Sequence, residues 1–144
     1  GLIYRGTGNG HPEFGHQAIP LHPNLAGRDI RCGCGSRGCL EALVSGNALR
    51  AIYGHSGEAL TDSEWEEVAF HMGHGIRNLA HLLNPEVVRL GGGVALGGGE
   101  GFLERVRQEV EENVHIVTAP RIEMTALGYY TAVYGAVVLA MNAS

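Results

Sequence analysis

Two periods of apolar spacing run through this chain. Between Thr61 and Leu83 the residues Trp65, Val68, Met72, Ile76, Leu79 and Leu83 recur every three or four positions, which is the spacing of one buried helix face. Thr61 and Glu64 stand in front of that stripe as a capping-box pair, and Asn84-Pro85 stops it. The stripe reads as core. An earlier set, Leu40, Leu43, Val44, Ala48, Leu49 and Ile52, predicts a helix that ends near Gly54. Residues 102–114 predict an amphipathic helix, and residues 131–141 a helix rich in small side chains. Short apolar runs predict strands at 2–4, 17–21, 87–90 and 121–127, with a turn at Asn9-Gly10 and loop over 22–31. The succession helix, strand, glycine-rich segment, helix is an α/β crossover, so the expected class is α/β with covered sheet faces.

At 144 residues this is one domain by length. With 44% hydrophobic and 17% charged residues it is globular. A net charge of −5 argues against a general binder of nucleic-acid backbone, which needs a basic face. The longest apolar run, AVVLAM, falls far short of the roughly 20 residues that span a bilayer. Gly1 leads at once into a strand-like run, so the sequence is expected to start partway through a longer protein.

The chemistry concentrates in residues 31–41, RCGCGSRGCLE, which hold all three cysteines. Cys32 and Cys34 are too close for an easy bridge, and three thiols cannot all pair. Gly33, Gly35 and Gly38 free the backbone to converge three thiolates on one point. Zinc takes four such ligands in a tetrahedron, which leaves one place for a histidine. Unpaired thiols with no leader ahead of them suit the cytoplasm. Spacing ranks His16 and His22 equal among the eight histidines for the fourth place. A second glycine cluster, LGGGVALGGGEGF, follows the strand at 87–90 and reads as a loop suited to an anionic ligand. It matches neither the Walker nor the dinucleotide pattern.

Together these pieces resemble the ROK family of bacterial sugar kinases and repressors, with both glucokinase-like and fructokinase-like features. PEFGH resembles the family's E-x-G-H, and CGCGSRGCLE its C-x-C-G-x-x-G-C-x-E, followed by Ser45-Gly46. NPEVVRLGGGVA resembles its D-P-x-x-I-x-L-G-G-G, with Asn84 for the usual aspartate, and ALGYYTAVYGAVVLA its C-terminal helix. Two features depart from the family's pattern: His11-Pro12 stands before Glu13, where the family often has Ala-Gly, and the sixteen-position step from His16 to Cys32 is longer than in compact members. The resemblance implies an actin-like (ribonuclease H-like) ATPase fold, with residues 1–144 as its C-terminal lobe and the N-terminal lobe outside this sequence. It implies structural zinc on His16, Cys32, Cys34 and Cys39, sugar contacts from Glu13, His16 and Glu41, and nucleotide contacts from Gly91, Gly92 and Gly93. It further implies ATP with magnesium as co-substrate and a homo-oligomer. The expected activity is phosphorylation of glucose, mannose, fructose or an N-acetylhexosamine. The general base belongs to a first-lobe motif that does not occur here, so the isolated chain is expected to be inactive. The alternatives are a sugar-responsive repressor of the same family, which needs a helix-turn-helix ahead of this part to meet nucleic acid, and a zinc-clipped binding or assembly module without catalysis.

Overall fold

The computed structural model describes residues 3–141. After three single 3₁₀ turns, at Thr7–Asn9, Phe14–His16 and Pro23–Leu25, the chain enters two short helices, α1 (Glu41–Val44) and α2 (Gly46–Tyr53). A long helix α3 (Asp62–Leu83) leads to strand β1 (Val87–Leu90), helix α4 (Gly92–Asn113), strand β2 (Arg121–Met124) and helix α5 (Thr131–Met141). The molecule is mixed α/β. Among the described residues β1 and β2 pair only with each other, in parallel, with Val87 opposite Arg121 and Leu90 opposite Met124.

Local chemistry sets most of these boundaries. Thr61 Oγ1 accepts the Glu64 N–H at 3.3 Å, while the Thr61 N–H donates to Glu64 Oε2 at 2.7 Å, so the capping box is formed. Asn84 ends α3 in the left-handed region at φ 44°, which asparagine tolerates better than most residues. The continuous helix expected through 40–52 is broken at Ser45. Its backbone turns extended there, and its hydroxyl accepts the Ala48 N–H to start α2 afresh.

Helices α3 and α4 run in the same sense, with Trp65 on Phe102 and Arg77 Nε donating to Asn113 O. Their seam buries Val68, Ile76, Phe102, Leu103, Val106 and Val110. On the apolar stripe expected for α3, Trp65, Val68 and Ile76 are buried, whereas Leu83 is exposed. Two glycines let α3 be approached from both sides. A side chain at Gly73 would collide with Glu109, and one at Gly75 would lie 2.6 Å from Leu40 Cδ2. A smaller core of Ile19, Leu25, Leu40 and Leu43 sits on that second side, under the cysteine loop.

Three strand expectations shrink. Leu2 lies outside the described residues, and Ile3 and Tyr4 are not in a strand. The segment 17–21 makes a single antiparallel bridge, Ala18 to Cys39. The strand at 121–127 stops at Met124. The segment expected as a glycine loop, 91–99, is largely helical. Helix α4 starts at Gly92 and breaks at Gly99, where φ is 59° and ψ −153°. Gly98 is there for space, because a side chain would meet Phe102 Cβ and the Trp65 ring.

Candidate functional site

The pairing of residues 17–19 with 38–40 builds the site. The Ile19 N–H donates to Gly38 O at 2.9 Å and the Leu40 N–H to Gln17 O at 3.0 Å. Each bond lies next to a residue of chemical interest, so His16 on one thread faces Cys39 and Glu41 on the other. Within the loop, the Cys32 N–H donates to Ser36 O and the Gly35 N–H to Cys32 O. Gly35 and Gly38 take φ of 91° and 73°, which fold the three cysteines inward and which other residues adopt at a cost. Arg31 and Arg37 sit opposite each other at the loop's neck. Asp29 lies between them, with both guanidinium Nε atoms 3.0 Å from its carboxylate, and offsets the repulsion between the two like charges.

His16, Cys32, Cys34 and Cys39 bring one ligand atom each to within 4.8 Å of one another. A tetrahedral zinc with bonds of about 2.3 Å to sulfur and about 2.0 Å to nitrogen sets two sulfurs about 3.8 Å apart and sulfur and nitrogen about 3.5 Å apart. Cys34 Sγ stands 3.7 Å from Cys39 Sγ, and His16 Nδ1 3.5 Å from Cys32 Sγ. The donor set therefore fits such an ion in both chemistry and spacing. The N–H and hydroxyl of Ser36, bonding to the Cys34 sulfur, bring its thiol down to about 7. Burial pushes the Cys39 thiol up to about 12. Cys34 is exposed, whereas Cys32 and Cys39 are buried.

The other face of the His16 ring meets Glu41, with Nε2 3.6 Å from Glu41 Oε2. Glu41 opens helix α1, where its carboxylate suits the helix N-terminus. Gly15 lies against the same side chain: a Cβ on it would stand 3.3 Å from Glu41 Cβ. Glu13 precedes the Phe14–His16 turn and its carbonyl accepts the His16 N–H, but its carboxylate is exposed and pairs with His11 Nε2 at 2.9 Å. Glu41 also lines a cleft of about 630 Å³, together with Arg28, Arg31, Ser45 and Asn47.

His22, the other candidate of equal spacing, turns elsewhere. Its backbone N–H donates to His71 Nε2 at 3.0 Å. His71 is fully buried in α3, and its Nδ1 has no hydrogen-bond partner among the described residues. Burial, with His22 and His74 nearby, lowers its basicity to about 4. Three further ties hold the same region. Asn78 donates to Gln17 Oε1, and Asn24 and Tyr53 donate to the two oxygens of Glu67. Ser36, Asp29, Asn78 and His71 thus support the site without standing in any motif, and residue spacing carries no sign of them.

The third expected group, Gly91, Gly92 and Gly93, lies at the end of β1. Gly91 is extended and caps α4, and Gly92 takes φ 85°. Gly91 packs against Thr125, just after β2, and Thr131, the first residue of α5: a Cβ there would stand 2.9 Å from Thr125 Cγ2 and 3.9 Å from Thr131 Oγ1.

The chain is similar to known proteins over nearly its whole length. The chain is 29% identical to an N-acetyl-D-glucosamine kinase of Yersinia pseudotuberculosis over 96% of its own length and 54% of the kinase. A ROK hexokinase from Thermus thermophilus superposes with a TM-score of 0.72 at 30% identity, covering 99% of this chain and 52% of the hexokinase. A ROK family glucokinase from Streptomyces griseus, solved with glucose and AMPPNP, gives 0.71 at 25% identity over 94% of this chain and 53% of the glucokinase. The chain spans about half the length of these relatives. Since the ROK family profile matches residues 1–143, so that the cysteine loop, α3, the β1–α4–β2 crossover and α5 all fall inside one match, the chain belongs to the ROK family.

Proposed function

We propose that residues 1–144 form the C-terminal, sugar-binding lobe of an ATP-dependent hexose kinase. The observation that carries this reading is the two-sided use of His16. Its Nδ1 faces the cysteine cluster and its Nε2 faces Glu41, so a group fixed on one side orients a polar pair on the other. Zinc, held by His16, Cys32, Cys34 and Cys39, would serve as a structural ion that locks the imidazole ring. The ring nitrogen and the carboxylates of Glu41 and Glu13 then meet the hydroxyls of a hexose or N-acetylhexosamine. Carboxylates accept hydrogen bonds from neighbouring hydroxyls, and such charge-assisted bonds are the stronger kind. The sugar kinases among its relatives support the substrate class. Gly91, Gly92 and Gly93, at the start of α4, would approach the nucleotide of ATP, whose magnesium neutralises phosphate charge.

Phosphoryl transfer also needs a base for the attacking hydroxyl. No residue described here fills that role, and it falls to the other lobe. The chain alone is therefore proposed to bind sugar weakly, at about millimolar affinity or about −4 kcal/mol, and not to turn it over.

Zinc analysis and NMR titration with glucose, fructose and N-acetylglucosamine test the assignment. Glu41→Gln is expected to keep one zinc per chain and to weaken sugar binding about tenfold or more, since hydrogen bonds to charged groups contribute about 1.5–3 kcal/mol. His16→Ala is expected to lose both. Unchanged sugar binding in Glu41→Gln, or a full zinc complement in His16→Ala, overturns the division of roles.

A further inference from the structure

One face of helix α3 meets the floor of the site at three positions. His71 accepts the His22 N–H, Gly75 leaves room for Leu40, and Asn78 Nδ2 donates to Gln17 Oε1 at 2.7 Å. Positions 71, 75 and 78 follow the spacing that puts residues on one side of a helix. The last of these contacts reaches the turn that carries His16. Gln17 Nε2 donates to Phe14 O at 3.2 Å, and the Gln17 N–H points to the same oxygen at 3.4 Å, so both close the turn Phe14–His16. Gln17 O accepts the Leu40 N–H at 3.0 Å, between Cys39 and Glu41. One half-buried residue thus joins the His16 turn, the Cys39–Glu41 thread and the long helix. The direction of its side-chain bonds is fixed by chemistry. A carbonyl oxygen only accepts, so the Gln17 amide turns its NH₂ toward Phe14 and its oxygen toward α3. The group facing that oxygen must then be a donor, which the Asn78 amide is and a carboxylate of the same shape is not.

We propose that Gln17 and Asn78 are positioning residues of the sugar site, a proposal that rests on the reading of His16 and Glu41 as sugar contacts. The relay from Asn78 through Gln17 to Phe14 sets the tilt of the His16 ring, and neither relay side chain meets sugar itself. His16 Nε2 stands 3.6 Å from Glu41 Oε2, too far for a direct hydrogen bond. A small tilt of the turn therefore decides whether the two groups close on each other or stay open to a hydroxyl. A metal on Nδ1 would fix one point of the ring and leave rotation about that bond. Partners beyond the ligands commonly fix that orientation, and here the backbone of the turn does so.

The test follows the ring resonances of His16 by NMR in the zinc-loaded chain, beside zinc analysis and titration with N-acetylglucosamine and glucose. Asn78→Asp sets a carboxylate oxygen against Gln17 Oε1 without changing size. It is expected to keep one zinc per chain and to displace the His16 resonances. Those of His55, which pairs with Glu64 near the start of α3, should stay in place. Sugar affinity should fall about fivefold, the size of one neutral hydrogen bond. Gln17→Met removes both side-chain bonds at similar length and should act alike, and it carries the comparison if Asn78→Asp folds poorly. Gln17→Met combined with Asn78→Leu should be no worse than Gln17→Met alone, because both residues act through one relay. The proposal is overturned if these variants lower the melting temperature yet leave the His16 resonances in place. It is also overturned if the two substitutions add. The resonances are read without sugar. A parent chain that binds no sugar therefore counts against the sugar reading, while the positioning stands or falls on the His16 ring.

Discussion

Gly15 and Glu41 are in contact across the site: a Cβ built on Gly15 would stand 3.3 Å from Glu41 Cβ and 3.5 Å from its Oε2. Gly15 has no left-handed backbone to protect, so its lack of a side chain serves the placement of the carboxylate. Gly15→Ala should push Glu41 aside by a few tenths of an ångström while leaving the cysteine cluster alone. The expected outcome is sugar affinity down several-fold at unchanged zinc content, measured by NMR titration beside elemental analysis. An alanine variant that binds sugar as tightly as the parent would show that the position of Glu41 does not matter.

Cys34 and Cys39 should differ sharply in reactivity once metal is removed. Hydrogen bonds from Ser36 hold the Cys34 thiol at about 7, and it is exposed, whereas Cys39 is buried with its thiol near 12. The thiolate is the reactive form. After chelation at pH 7, iodoacetamide is expected to label Cys34 first and Cys39 last, as read by peptide mass spectrometry. Ser36→Ala should slow labelling of Cys34 several-fold, because it removes the hydroxyl but keeps the backbone donor. Equal labelling of all three cysteines would contradict the geometry.

His71 makes folding sensitive to mild acid. Burial, with His22 and His74 nearby, lowers the group from 6.5 to about 4, and the neutral ring accepts the His22 N–H on its Nε2. Between those values the unfolded chain binds the extra proton and the folded one does not. Stability is therefore full above about pH 6.5 and is lost progressively as pH falls toward 4, by on the order of 3 kcal/mol in total. Urea unfolding at pH 7 and pH 4.5 should show that loss in the parent and much less of it in His71→Gln, whose amide oxygen can still accept from His22. Equal losses in both proteins would remove His71 as the cause.

Gly75→Ala sets helix propensity against packing. Alanine is favoured over glycine inside a helix by about 1 kcal/mol. The added Cβ, however, would lie 2.6 Å from Leu40 Cδ2, and Leu40 is only 2% exposed. Overpacking of this kind costs about 1–3 kcal/mol, so the net effect should be a lower melting temperature. Leu40 stands between Cys39 and Glu41, and weaker zinc retention is expected with it.

Signals that are local in the sequence survive in the structure. The capping box at Thr61, the stop at Asn84 and the strand Val87–Leu90 depend on neighbours within a few residues. Segments shaped by distant partners do not read so plainly. Residues 92–98 look like loop because glycine usually marks one, yet they are helix, and the approach of Trp65 and Phe102 that leaves no room for a side chain at Gly98 is invisible in the local spacing. The break at Ser45 hides under an apolar spacing that runs unbroken from Leu40 to Ile52. At the site, the cysteine spacing pointed to a metal cluster, and the four ligand atoms do converge. Spacing alone left His16 and His22 level, because the choice depends on which thread pairs with residues 38–40. Asp29 and Asn78 stayed invisible for the same reason, since each finds its partner only after the chain has closed.

The bridge between Ala18 and Cys39 closes a loop of about twenty residues, and the entropy of closing such a loop grows only slowly with its length. That ordering is supplied by backbone hydrogen bonds and by the anchors on α3, at Gln17 and His22. The cysteine cluster is thus moored to the long helix α3 from a distance, and a change at Asn78 or His71, neither of them a ligand, should be felt at the loop through Gln17 and His22.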